Sequence, residues 1–249
     1  MTKRLFGFVL CCLLVIFTSS CGKNNNIFSW AHRSDSGSYD SLMSDADSEM
    51  RNRSYAEAAK DYCAAVDIRP GDKEAVMRCT SAVIHDTLDS ETTNIVTKMI
   101  TDKTSRLSLD FTALSPEKIY KTSEALSNLV NNENMFPQLF EVENPPTDTS
   151  TNLDGATVYA LEGIFSAAKN PEVKRYVGGT FPSDIISKLP PKSSASPAVE
   201  SAVRNMKAKV LKSMNCLNNI KDKSQDSTIE GFKSELNNTI HSLDLWLGM

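Results

Sequence analysis

Apolar residues recur at three- and four-residue steps over most of the chain after residue 38, the spacing of one helix face. Between Tyr39 and Gly71 two such segments are separated by a break at 52–54, and Pro70-Gly71 ends the second. This pattern predicts a helix, a tight turn and a second amphipathic helix. Its apolar positions are Leu42, Ala46 and Met50, then Tyr55, Ala58, Ala59, Tyr62, Ala65, Val66 and Ile68.

Further helices are predicted in the rest of the chain, and the segment from Leu153 to Lys169 is apolar nearly all round, as a central helix would be. A capping box, Ser227 to Glu230, predicts the start of the last helix. Few stretches alternate with the period of a strand, so the predicted fold class is all-α. The other expected helix starts are Ser115-Pro116, Asn170-Pro171 (ending at Gly178-Gly179) and Ser196-Pro197.

Two proline-containing segments, 143–152 and 189–197, are expected to be loops. The first divides a helical region at 39–142 from a second one at 153–249. The two regions form either separate units or one continuous domain.

The first twenty residues have the composition of a secretory signal. Lys3 and Arg4 precede an uncharged apolar run of 13 residues, 5–17. A membrane-spanning helix needs about 20 residues, so we expect cleavage of 1–20 rather than a retained anchor. Small residues then lead directly to Cys21.

The sequence Ser19-Ser20-Cys21 resembles the lipobox of bacterial lipoproteins, in which signal peptidase II cuts before a cysteine that carries diacylglycerol. Thr18 stands where leucine is usual, and this departure from the consensus is more familiar in spirochaete-type lipoboxes. The resemblance implies lipidation at Cys21, which would anchor the mature chain stably. The alternative is ordinary signal-peptidase cleavage near Ser20. Gly22 is not aspartate, which favours the outer membrane, facing the periplasm.

Residues 22–38 are polar and lack helical periodicity. With the lipidated cysteine, 21–38 would form a flexible tether that reaches on the order of 20–25 Å. The whole chain has a net charge of −4, which becomes −6 once Lys3 and Arg4 are removed. This charge argues against binding of nucleic acid and against electrostatic binding to anionic lipid through a polybasic segment.

Cys63, Cys79 and Cys216 remain after the signal and Cys21 are set aside. Three cysteines are too few for a disulfide framework, and no pair has CxxC spacing. One bridge is possible in an oxidising compartment, with Cys63–Cys79 the nearest pair in sequence. We expect buried free thiols instead.

The predicted hairpin at 39–71 resembles a tetratricopeptide repeat, a helix–turn–helix unit that stacks on its neighbours. Its small residues fall on Ala46, Ala58 and Ala65, its aromatics on Tyr55 and Tyr62, and its closing proline on Pro70. A second, degraded unit would begin at Lys73, with Val76, Cys79, Thr80 and Val83 inward and a second helix at about 90–103. The alternative is a generic helical hairpin that matches by chance.

Two residues depart from this pattern, because Asp45 and Glu49 stand where apolar residues usually pack. The first helix is therefore expected to face solvent, as an N-terminal cap would. An acidic helix face is usually only solvated, but it can also meet a basic partner.

The sequence contains no HExxH motif, no GxSxG motif and no phosphate-cradling loop. None of the histidines (His32, His85, His241) has the spacing of a metal site. Gly178-Gly179 is more simply a helix end than a ligand loop. We therefore expect no enzymatic activity, no cofactor and no metal.

The sequence favours a lipid-anchored helical scaffold that binds another, unidentified envelope protein, because stacked helix pairs form grooves that accept a helix or peptide. The candidate partner-binding residues are Leu42, Asp45, Glu49 and Met50. The alternative is an accessory component of a TRAP-type solute transporter, since helical lipoproteins with degenerate repeats accompany such transporters in some spirochaetes. A ligand cavity among the central helices around Tyr159 and Phe165, together with a neighbouring gene for a solute-binding protein, would favour that role.

Overall fold

The computed structural model describes residues 37–87, 114–174, 186–222 and 226–249. These residues form helices and connecting turns, with no strand among them, which confirms the all-α prediction. The signal segment, Cys21, the tether up to residue 36, the expected helix at 90–103 and Gly178-Gly179 lie outside the described residues.

Three consecutive helices form the N-terminal part: α1 (Tyr39–Asn52), α2 (Tyr55–Ile68) and α3 (Lys73–Thr87). α1 starts where the Ser38 side chain accepts a hydrogen bond from the Ser41 N–H at 3.2 Å. It ends at Arg53, which takes the left-handed conformation with φ 63° and donates to the carbonyl of Met50. α2 packs against both neighbours, so the predicted helix–turn–helix is present.

The next two helices are α4 (Pro116–Asn131) and the short α5 (Phe136–Phe140). Ser115 caps α4 as predicted, since its side chain accepts from the N–H of Lys118 at 3.2 Å. Proline in the first turn lacks the N–H that would otherwise be left unpaired there. The α4 residues that face inward include Ile119, Leu126, Leu129 and Val130.

The central helix, α6 (Thr149–Ala168), is buried on nearly every side, in agreement with its apolar sequence. It begins earlier than predicted, so the expected loop at 143–152 is too long. The reason is Asp148, whose side chain accepts from the N–H of Thr151 at 3.0 Å and so starts the helix before the apolar run. A single turn, α7 (Pro171–Lys174), follows at the predicted Asn170-Pro171.

After a 3₁₀ turn at Lys192–Ser194, the chain forms α8 (Pro197–Asn219) and α9 (Asp226–Leu247). Ser196 caps α8 as predicted. The predicted capping box of α9 is wrong, because α9 begins at Asp226 and Ser227 lies inside its first turn. The predicted inward stripe of α8 is buried: Val199, Val203, Met206, Val210, Met214 and Leu217.

One continuous hydrophobic core runs through both predicted regions, from Ala46 to Leu247. α6 lies between α4 and α8, and α9 packs on α8. Two glycines permit close helix contacts: a Cβ at Gly155 would lie 2.4 Å from Cζ of Phe140, and one at Gly163 would lie 3.0 Å from Cβ of Lys209.

Candidate functional site

The predicted partner-binding residues share one face of α1, at the N-terminal end of the helical stack. Asp45 is exposed, whereas Glu49 is half-buried. Leu42 and Met50 are partly buried and pack against the core. Part of this predicted surface therefore stabilises the hairpin, and Asp45 is its most accessible residue.

Glu49 lies among other carboxylates of α1 and α2. Partial burial raises the pKa of its carboxyl, and the charges of Asp61, Glu57 and Asp45 raise this pKa further, while Lys60 lowers it. The Oε2 atom of Glu49 is shielded from solvent and accepts no hydrogen bond within the described structure. We name Asp45, Glu49, Glu57 and Asp61 the acidic edge.

The remainder of α1 explains why this edge is on the surface. Ala46 is its only buried residue, and Ser41, Ser44 and Ser48 are exposed on the opposite side. A polar outer face is what a helix at the end of a stack requires. The prediction that α1 faces solvent is confirmed.

A polar network that the sequence did not reveal connects the first three helices. The carboxylate of Asp47 on α1 accepts hydrogen bonds from the hydroxyl of Tyr62 on α2 and from the guanidinium of Arg78 on α3. Burial and the bond to Asp47 raise the pKa of Tyr62 to about 12. The only sequence signal was the repeat-like aromatic at Tyr62, which identifies neither partner.

Cys63 on α2 and Cys79 on α3 form a disulfide bond, so the expectation of free thiols is wrong for this pair. Antiparallel packing of α2 on α3 brings the two Cα atoms to 5.1 Å, within the range that a disulfide requires. Both cysteines are buried, with at most 2% of their surface exposed. Cys216 is free and buried, as expected, and burial raises the pKa of its thiol to about 12.

A second polar cluster lies between the central helices, and sequence reasoning missed it as well. Glu162 of α6 faces Lys209 of α8, and both side chains are buried. Nearer the surface, Glu141 accepts hydrogen bonds from Lys212 at 2.6 Å and from the Tyr159 hydroxyl at 2.9 Å. No local motif marks these pairs, because their members are far apart in sequence.

Tyr159 and Phe165, around which a ligand cavity would favour the transport-accessory function, are both completely buried in the core. The rings of Phe136 and Phe140 lie against Tyr159, with ring centroids 5.2 Å and 6.3 Å away. These side chains therefore fill the interior beside Tyr159 and stabilise the packing of α5 on α6.

Within the described ranges, no group of three or more histidine, cysteine, aspartate or glutamate side chains is placed to hold a metal ion. No helix in the same ranges is both long and apolar enough to cross a membrane. Comparisons with protein-family models, curated proteins and solved structures found no match.

Proposed function

We propose that this protein is a lipid-anchored helical scaffold of the bacterial envelope, which binds another protein through the acidic edge. The observation that carries the proposal is the environment of Glu49. This carboxylate has an oxygen that accepts no hydrogen bond within the described structure and lies near three further carboxylates. A cationic side chain from a partner would relieve the repulsion among these carboxylates.

The partner's surface is therefore basic, and its attraction to the acidic edge would set the orientation and rate of association more than the final affinity. Leu42 and Met50 flank the carboxylates and keep part of their apolar surface accessible. A helix or extended segment that carries lysine or arginine beside apolar residues fits this combination.

The disulfide supports export from the cytoplasm, because such bonds form and persist in oxidising compartments. Both cysteines are buried, and the bond joins α2, which carries part of the acidic edge, to α3. Together with the lipobox-like sequence before Cys21, this bond favours a periplasm-facing, membrane-anchored protein. We propose the outer membrane as its location and assign it no catalytic role.

The test is mild crosslinking of native cells, capture in detergent and identification of partners by mass spectrometry. The double charge reversal Asp45→Lys/Glu49→Lys is compared with a matched control, Glu230→Lys/Glu235→Lys, which changes the net charge equally at exposed positions on α9. We expect the first variant to lose its partner at least tenfold and the control to retain it. Equal capture by both variants would refute the acidic edge as the binding surface.

A Cys21→Ser variant tests the contribution of the anchor in the same experiment. We expect it to lose partners that reside at the membrane while the folded domain stays intact. Capture of a solute-binding protein or permease would instead support the transport-accessory function.

A further inference from the structure

Two glutamate–lysine pairs meet on one face of α8, three residues apart. The outer pair, Glu141–Lys212, is half-exposed, with 2.6 Å between Nζ and Oε1. The inner pair, Glu162–Lys209, is buried, with 2% and 8% of the side-chain surfaces exposed. The same helix therefore carries two pairs of the same chemistry at different depths.

The inner pair is poorly satisfied. Nζ of Lys209 lies 3.5 Å from Oε2 of Glu162, whereas charge-assisted hydrogen bonds measure about 2.7–2.9 Å. That Oε2 is shielded from solvent and accepts no hydrogen bond within the described structure. Lys209 instead donates to Oδ1 of Asn131, at the end of α4, at 2.9 Å.

The inner pair lies where α8 and α6 pack closely together. α8 crosses α6 at Gly163, where even a methyl group would lie 3.0 Å from Cβ of Lys209 and 3.3 Å from the carbonyl oxygen of Met206. Lys209 thus approaches Glu162 from a backbone that is already in contact. The two charges therefore lie beside the closest approach of α8 to α6.

We propose that the inner pair is a pH-sensitive latch, in which α8 seats most firmly on α4 and α6 when Glu162 carries a proton and loosens as this carboxylate ionises. Burying an ionised carboxylate is costly unless hydrogen bonds compensate it, and here they are incomplete. The neutral acid avoids that cost and can donate a hydrogen bond itself. Burial also lowers the pKa of Lys209, so the charged form of this partner is disfavoured in the same place.

The groups around Glu162 determine whether its contribution to stability rises or falls with pH. Lys209 and Lys212 face it from α8, Asn131 contacts Lys209 from α4, and Tyr159 lies one turn away on α6. Burial raises the pKa of Glu162 more than the two lysines lower it. Its contribution to stability is therefore full below the pKa of an unfolded glutamate and is lost as pH rises through the folded value.

The stability contributed by Glu141 of the outer pair changes with pH in the opposite direction, so this pair serves as an internal control. Burial raises the pKa of Glu141, but the hydrogen bonds from Lys212 and Tyr159 outweigh it, and the net pKa is lowered. Stability from Glu141 is consequently present above the pKa of an unfolded glutamate and is lost as pH falls. Glu162→Gln and Glu141→Gln should change the pH dependence in opposite directions.

Cys216 provides the readout, because it is buried on α8 and reacts with a thiol reagent only when the helix opens. In the full-length chain, alkylation of Cys216 is followed at peptide level between pH 4.5 and 7.5 for the wild type and both variants. Rates of the wild type and each variant are compared at the same pH, so that the pH dependence of thiol reactivity is the same for both proteins. Urea unfolding over the same pH range gives an independent measure.

We expect the ratio of wild-type to Glu162→Gln labelling rates to rise at least about threefold from pH 4.5 to 7.5. The corresponding ratio for Glu141→Gln should fall. If Glu162→Gln does not fold, the Glu162→Gln/Lys209→Met protein, which lacks both charges, takes its place with the same expectation. The latch would be overturned if the ratio of wild-type to Glu162→Gln labelling rates stayed constant or fell from pH 4.5 to 7.5 and urea unfolding agreed.

Discussion

At the scale of single residues, the N-terminal stack depends on side chains that contact more than one helix. Asp47 is the clearest example, since it accepts hydrogen bonds from Tyr62 on α2 and Arg78 on α3. Its place on α1 follows from helix periodicity, but its partners do not. They become neighbours only through the packing of three helices. The sequence therefore predicts Tyr62 as an aromatic packing position but does not predict its hydrogen bond to Asp47.

Replacement of Asp47 by asparagine should lower the free energy of unfolding by about 1 kcal/mol at pH 7, because a partly exposed charged acceptor is lost. Burial raises the pKa of Asp47, but Tyr62 and Arg78 lower it more, and the net pKa is lowered. This stabilisation is present above the pKa of an unfolded aspartate and is lost as pH falls through the lower folded pKa. Urea titrations should therefore show the difference shrinking as pH falls below the pKa of an unfolded aspartate, whereas Asp45→Asn should have a small effect at pH 7.

Gly71 occupies the turn between α2 and α3, where φ is +74° and a Cβ would lie 3.2 Å from the carbonyl oxygen of Gln138. Gly71→Ala should destabilise the protein by about 1–3 kcal/mol, since both the backbone conformation and the contact are unfavourable. Gly231 is the matched control, because its Cβ position in α9 meets no atom within 4 Å. Gly231→Ala should stabilise by about 0.5–1 kcal/mol, and equal losses in thermal unfolding would contradict this account.

At the scale of helices, sequence periodicity predicted most buried faces, because the spacing of the apolar residues on each face can be read from the local sequence. The buried stripes of α4 and α8 and the apolar character of α6 were all predicted. The start of α6 was not, because Asp148 begins the helix within a polar segment that has no apolar periodicity. The contact of Phe140 with Gly155 was also missed, since it joins two helices across a loop.

Gly155→Ala should lower the free energy of unfolding by about 1–3 kcal/mol, because the added methyl group overlaps the ring of Phe140. Phe140→Leu shortens the side chain and removes the overlapping atoms. The loss caused by Gly155→Ala should consequently be smaller in the Phe140→Leu background. A double-mutant cycle in urea checks this, and strictly additive losses would argue against the contact.

At the scale of the whole molecule, the all-α class was predictable, whereas the connections between distant segments were not. Cys63 and Cys79 were the nearest candidate pair in sequence, but only the antiparallel packing of α2 and α3 shows that they bond. The inner pair likewise requires the crossing of α6 and α8. Of the candidate site, the positions on α1 were predictable, while the carboxylates that α2 adds to the acidic edge depend on the turn between the helices.

The disulfide should contribute about 3 kcal/mol, since it closes a loop with a sequence separation of 16 residues. Cys63→Ser/Cys79→Ser should therefore lower the melting temperature by several degrees. Reductant should destabilise the wild-type chain once it gains access, and it should leave the double variant unchanged. An unchanged melting temperature in the double variant would show that the bond adds nothing to stability.

The most direct test of the proposed anchored scaffold is the state of Cys21 in protein isolated from its native membrane. Mass spectrometry of the N-terminal peptide should show cleavage before Cys21 and a diacylglycerol group on its sulfur. Cys21→Ser should abolish both modifications and release the protein from the membrane fraction. An unmodified Cys21 on a wild-type chain recovered from the soluble fraction would contradict the anchor, and with it the proposal that this scaffold works at the membrane.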